Sequence, residues 1–223
     1  MEFVEYPDRE MLALGLADTL AASLRKCLLV HDVASFCVPG GSSPGETFAN
    51  LAGNALDWSR VRVFLNDERW VPTEHERSNT RLLRETLLTG PAAAARMVPM
   101  VSDDPTPEEG IDGLVPGFAG ALPISVLLLG MGTDMHTASL LPDSPDLPLA
   151  LAPEAPILLP IRARSQPEPR VTLSARVLRD AMETHVLIQG DEKRDVLEGV
   201  EGRDPGEAPI GLFLRDAVVH WAP

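Results

Sequence analysis

The chain has 223 residues, of which 44% are hydrophobic and 23% charged, so it can bury a sizeable core and is not a disordered segment. Nineteen Lys and Arg against 33 Asp and Glu give a net charge of −14, and aromatics are only 4%. That balance excludes a broad basic face for nucleic acid and an aromatic platform for single strands. A small anionic substrate, which needs only a few local cations, stays open.

The first ten residues, Met1 to Glu10, carry neither a basic stretch nor an apolar run, so no secretory signal is expected there. Asp8 to Val30 places Met11, Leu12, Leu16, Leu20, Leu24 and Leu28 close to one helical face and predicts a helix. Two cysteines, Cys27 and Cys37, cannot build a disulfide framework and read as reduced core residues. Short apolar runs at Val33 to Val38, Val61 to Leu65, Ile124 to Leu129, Ile157 to Ile161, His185 to Gln189 and Ala217 to Trp221 predict strands. None approaches the ~20 residues of a membrane helix. Helical patterns fall at Thr80 to Leu88, Pro107 to Phe118, Ser174 to Met182 and Asp191 to Val200. Pro142 to Pro169, rich in Pro, Ala and Asp, reads as a long surface excursion. Strands that are apolar throughout and alternate with helices predict an α/β fold, a mostly parallel sheet with helices on both faces, in a single domain over 1–223. Ligands of such sheets bind beyond the carboxyl ends of the strands.

After the run ending at Val38 comes Pro39-Gly-Gly-Ser-Ser-Pro-Gly45. Gly41, Ser42 and Ser43 before a helix could cradle a phosphate with backbone and hydroxyl donors, or form an ordinary strand-to-helix turn. Gly41 to Gly45 also fits the G-x-S-x-G nucleophile elbow. That elbow needs the N–H of the residue after its serine, and here that residue is Pro44, so Ser43 is not read as a nucleophile. Asn66-Asp-Glu-Arg-Trp-Val-Pro72 follows Leu65; its carboxylates beside Arg69 suit acid/base or anion-orienting work, or a solvated ion pair. Gly130-Met-Gly-Thr-Asp-Met-His136 lacks the third glycine of a dinucleotide fingerprint. It offers instead Asp134 to orient the imidazole of His136, unless that histidine is structural. Arg170 precedes another apolar run. Asp191 reads as the N-cap of the last helix, placing Lys193 in a first turn where a cation is best explained by a shared anion, or by simple exposure. No metal-ligand spacing occurs among the five histidines, and no metal is expected.

Taken in order, Gly40 to Pro44, Asn66 to Pro72 with Ser78-Asn79-Thr80, Gly130 to Pro142, Arg170 to Leu173 and Gly190 to Lys193 resemble the 6-phosphogluconolactonase family over nearly the whole chain. The resemblance implies a Rossmann-like α/β fold shared with glucosamine-6-phosphate deaminases. It implies hydrolysis of 6-phospho-D-glucono-1,5-lactone to 6-phosphogluconate in the oxidative pentose phosphate pathway, without a cofactor. The expected partner is thus a small phosphorylated sugar lactone, with no nucleic acid and no membrane, in the cytoplasm; the oligomeric state is left open. On this reading His136 is the general base, Asp134 its helper, and Arg69 stabilises or orients the substrate. Gly41, Ser42, Ser43, Arg170 and Lys193 hold the phosphate, and Asp67 fixes Arg69. The deaminase alternative continues its Gly-His core into an Asn-Glu-Pro segment, whereas this chain continues Thr137 to Pro142. A non-catalytic sugar-phosphate sensor on the same fold is the other alternative. The family usually has phenylalanine at Leu141 and glycine at Met135, which predicts a backbone near positive φ at Met135.

Overall fold

The computed structural model of the protein describes residues 1–223. Helix α1 (Arg9–Leu28) begins where Asp8 accepts the N–H of Met11 at 2.8 Å, and ends with Arg25 and Lys26 in its last turn. Both placements satisfy the helix termini and their dipole. Leu12, Leu16, Leu20 and Leu24 are wholly buried, as the predicted stripe requires. Six further helices follow: α2 (Gly45–Ala52), α3 (Asn79–Thr86), α4 (Pro107–Leu114), α5 (Leu147–Leu151), α6 (Ala175–Arg179) and α7 (Asp191–Glu198). The pattern over Pro107 to Phe118 divides into α4 and a 3-10 turn containing Pro116, which cannot donate to a continuing α-helix. No helix is long and apolar enough to cross a membrane.

The strands are β1 (Glu2–Glu5), β2 (Ala34–Val38), β3 (Val61–Leu65), β4 (Asp67–Arg69), β5 (Arg96–Met97), β6 (Val126–Gly130), β7 (Leu158–Ile161), β8 (Arg170–Leu173), β9 (Thr184–Gln189) and β10 (Val218–Ala222). Seven form one sheet in the order β1-β10-β9-β6-β2-β3-β5, and every neighbouring pair is parallel. β2 is buried along its whole length, as a strand covered on both faces must be. From β2 the chain builds outward through β3 and β5 on one side. On the other side it resumes at β6 and continues through β9 and β10. The order therefore reverses between β2 and β6, and a crevice opens beyond their carboxyl ends.

The predicted parallel sheet thus holds, with two corrections. The run Ile157 to Ile161 does not join it: β7 pairs antiparallel with β8, and β8 with β4, in a separate three-stranded sheet. The segment around it is also no mere surface excursion, because Leu147, Ala150, Leu158, Leu159 and Ile161 are buried. Its prolines break regular pairing, but its apolar side chains still reach the core. Cys27 and Cys37 are free and buried.

Candidate active site

The loops after β2, β6 and β9 and the small sheet converge on one cleft of about 310 Å³. Its walls include Gly41, Ser42, Ser43, Asp67, Arg69, His136, Arg170 and Lys193; Asp134 stands behind His136. A larger groove between Leu122, Arg176 and Leu212 contains no histidine and a single carboxylate, Asp180. Only the first carries a set of groups able to do acid/base chemistry.

On the β6 side the loop folds back on itself. Gly132 N–H donates to the His136 carbonyl, Met135 N–H to the Gly132 carbonyl, and Thr137 Oγ1 to the Gly130 carbonyl at 2.8 Å. A side chain at Gly132 would lie 2.3 Å from the His136 ring and 2.5 Å from Asp134 Oδ1, so only glycine allows the pair to pack there. His136 Nδ1 lies 2.5 Å from Asp134 Oδ1. A carboxylate can only accept, so Nδ1 carries a proton, and Nε2 is left without a protein partner on a residue that lines the cleft. The same contact holds the Asp134 carboxyl below the usual aspartate range. Met135 has φ 65°, the positive value that the glycine comparison predicts. Its side chain nonetheless packs half-buried against the core, and its carbonyl accepts Ile210 N–H.

Across the cleft, the small sheet sets Arg69 opposite Arg170 in register. Their surroundings differ. Arg170 is nearly buried and committed: Nη1 donates to Asp67 Oδ2 at 3.0 Å and Nη2 to Gln166 Oε1 at 2.5 Å. Arg69 has only neutral acceptors, the Arg77 carbonyl at 2.9 Å and Asn79 Oδ1 at 2.6 Å. Burial, then repulsion from Arg170, lowers its pKa from the ordinary arginine value. Here the expectation for Asp67 is corrected. It fixes Arg170, and also accepts from Ser139 Oγ, while Arg69 is held by Asn79. Asp67, Arg69, Arg170 and Thr172 share one face of the small sheet; Arg170 reaches Asp67 diagonally across the strand pair, while the Arg69 guanidinium is turned to the Arg77 carbonyl and Asn79. Asn79 was legible only as part of a motif, because its role needs α3 docked on β4.

Two helix starts complete the cleft. α2 begins after Gly41 (φ 84°), Ser42 and Ser43, and its N-cap, Pro44, supplies no capping side chain. The N-cap of α7 is Gly190, not the expected Asp191. Gly190 adopts φ 87°, donates to the Ala222 carbonyl and accepts Trp221 Nε1–H, so the turn requires glycine and moves Asp191 to the first helical position. Lys193 stays in the first turn; burial lowers its pKa, and it forms no ion pair. Arg69 and Lys193 are thus the cleft cations without a carboxylate of their own.

The sequence model of the family described as glucosamine-6-phosphate isomerases/6-phosphogluconolactonase matches residues 7–221. The chain is 40% identical to a 6-phosphogluconolactonase of Rhizobium meliloti, across 95% of this chain and 94% of that one. It is 41% identical to a 6-phosphogluconolactonase of Pseudomonas aeruginosa, across 95% and 90%. In three dimensions it is similar to the crystal structure of a 6-phosphogluconolactonase from Shewanella baltica, with TM-score 0.95 and 30% identity over 100% of this chain and 98% of that one.

Proposed function

The chain belongs to the glucosamine-6-phosphate isomerase and 6-phosphogluconolactonase family, and from that premise we propose that its cleft hydrolyses 6-phospho-D-glucono-1,5-lactone to 6-phosphogluconate, a step of the pentose phosphate pathway. The observation that carries the assignment of roles is His136, a residue lining the cleft, oriented at 2.5 Å by Asp134 and with Nε2 left without a protein partner.

A lactone is an activated ester, so one general base suffices. Nε2 of His136 takes a proton from water as the water oxygen bonds to the lactone carbonyl carbon. The carbonyl electron pair moves onto oxygen, and Arg69, which makes no direct ion pair with a carboxylate, stabilises that oxyanion. When the carbonyl re-forms, the bond to the ring oxygen breaks, and the imidazolium returns its proton to that oxygen. The phosphate is held by the hydroxyls and backbone of Gly41, Ser42 and Ser43, by the uncapped start of α2, and by Lys193. Arg170 contributes as a buried wall group, its charge already shared with Asp67.

The isomerase alternative requires further acid/base groups to open a ring and move a proton between carbons. Asp67 is engaged by Arg170 and Ser139, and Glu68 by four donors, which leaves His136 with Asp134 as the free pair. The test is lactone hydrolysis by pure protein, corrected for the spontaneous reaction, beside a coupled assay on glucosamine 6-phosphate. Turnover of the amino sugar with none of the lactone would reverse the assignment; binding without turnover of either would favour the sensor.

A further inference from the structure

Glu68 follows Asp67 and precedes Arg69 in β4, yet it faces away from the cleft and is wholly buried. No cation pairs with it. Its oxygens instead take four hydrogen bonds. Oε1 accepts from the backbone N–H of Arg69 and of Asn79, each at 2.8 Å. Oε2 accepts from Thr80 N–H at 2.6 Å and from Ser78 Oγ at 3.1 Å. Three of these donors form the start of α3, where unpaired N–H groups and the helix dipole converge. The carboxylate therefore clamps the Ser78 to Thr80 segment to β4.

That segment is also what aims Arg69. Both side-chain hydrogen bonds of Arg69 end on residues 77–79, at the Arg77 carbonyl and at Asn79 Oδ1. Asn79 is fixed in turn by donating Nδ2–H to the Asp67 carbonyl at 3.1 Å. Its carboxamide also packs on Gly40, where a Cβ would come within 2.0 Å of it. Arg170, in register across the small sheet, repels the Arg69 guanidinium, so its direction has to be imposed by these acceptors.

We infer that Glu68 is a positioning residue for the proposed reaction: by fixing the start of α3 it directs Asn79 and, through it, the Arg69 guanidinium toward the oxyanion. The inference rests on the proposed role of Arg69. In Glu68→Gln the new amide would point a donor at groups that are themselves donors, so the clamp loses its charge and at least one bond. Misplacing a substrate-facing group costs about 10–100-fold in rate. Glu68→Gln is expected to lower kcat by about that factor, with a smaller change in KM.

The decisive measurement is a double-mutant cycle on kcat with Arg69→Ala. If Glu68 acts through Arg69, Glu68→Gln adds no further loss once Arg69 is alanine. A general loss of integrity would reduce kcat by the same factor in both backgrounds. Asn79→Ala, which leaves the clamp intact, serves as the second variant and is expected to be equally non-additive with Arg69→Ala; it decides the matter should Glu68→Gln not fold. Additive losses, or wild-type kcat in Glu68→Gln, would overturn the inference while the proposed reaction stands. Wild-type turnover in Arg69→Ala alone would instead overturn the role of Arg69 on which it is built.

Discussion

A histidine–aspartate pair and a pair of histidines in this protein make opposite uses of one side chain. His136, in the loop after β6, gives Nδ1 to a half-exposed carboxylate and keeps Nε2 without a protein partner. His185 and His220 lie on neighbouring strands, each 1% exposed, with ring centroids 5.2 Å apart. Their contacts form a chain: Tyr6 Oη to His220 Nδ1, His220 Nε2 to His185 Nδ1, and His185 Nε2 to Glu183 Oε1, each at 3.0 Å. The carboxylate at one end only accepts, so both rings carry their proton on Nε2, and Tyr6 donates at the other end. Every ring nitrogen is occupied. The buried pair can hold strands together but cannot take a substrate proton, whereas the loop pair can, because one nitrogen is left over.

The largest expected effect breaks the loop pair. His136→Ala should lower kcat by about 10²–10⁴-fold, the range for loss of a general base, while the thermal midpoint stays near wild type. Near wild-type turnover would remove His136 from the proposed chemistry.

The buried pair should respond to acid through stability. Burial, reinforced for His220 by the neighbouring ring, depresses both: His220 from 6.5 to about 3, and His185 below its usual value despite Glu183. Well above pH 6.5 both rings are neutral whether folded or not, and the pair's contribution is complete. Below it the unfolded chain binds protons that the folded one refuses, so stability falls with a limiting slope of about 1.4 kcal/mol per pH unit for His220, down to about pH 3, and His185 adds to the fall in the same direction. Chemical denaturation between pH 8 and pH 4 measures this slope. The double replacement His185→Leu with His220→Leu should flatten it and leave kcat unchanged; an unaltered slope would assign the acid sensitivity elsewhere.

Lys193→Ala tests the cleft without touching either pair. Loss of one charge-assisted contact, worth about 1.5–3 kcal/mol, should weaken 6-phosphogluconate binding by one to two decades. An unphosphorylated gluconolactone should be affected far less; equal losses on both would show that Lys193 does not read the phosphate.

Met135→Gly is the smallest change expected. Releasing a non-glycine residue at φ 65° gains about 1–3 kcal/mol, against the packing lost with a half-buried side chain. Activity should be retained and the melting temperature kept or slightly raised. A fall in both would mean that the methionine supports the loop holding His136 more than it strains it.

Much of the cleft was legible because its residues are local to strand ends. Asp134 and His136 are two positions apart in one loop, and Gly41 to Ser43 directly follow an apolar strand. The parallel sheet was legible for the same reason, from apolar runs alternating with helical stripes. What escaped was pairing at long range. β4 is three residues long, and it exists as a strand because Arg170 to Leu173, about a hundred positions later, supplies its hydrogen bonds. Without that pairing, Asp67 was read as the partner of its near neighbour Arg69, and the Ile157 to Ile161 run was placed in the wrong sheet.

Periodicity and spacing by themselves determined the α/β class, the helix under the stripe Leu12 to Leu24, and the set of polar groups that strand ends would present. They could do so because burial and turn chemistry are written in neighbouring residues. Only the tertiary structure decided which carboxylate meets which cation: Arg170 with Asp67, Arg69 with none, and Glu68 with the start of α3. It also decided that His185 and His220 are fully hydrogen-bonded while His136 is not. Charge and hydrogen-bond partners are chosen across space by strand register and helix docking, and a one-dimensional pattern carries no direct record of that distance.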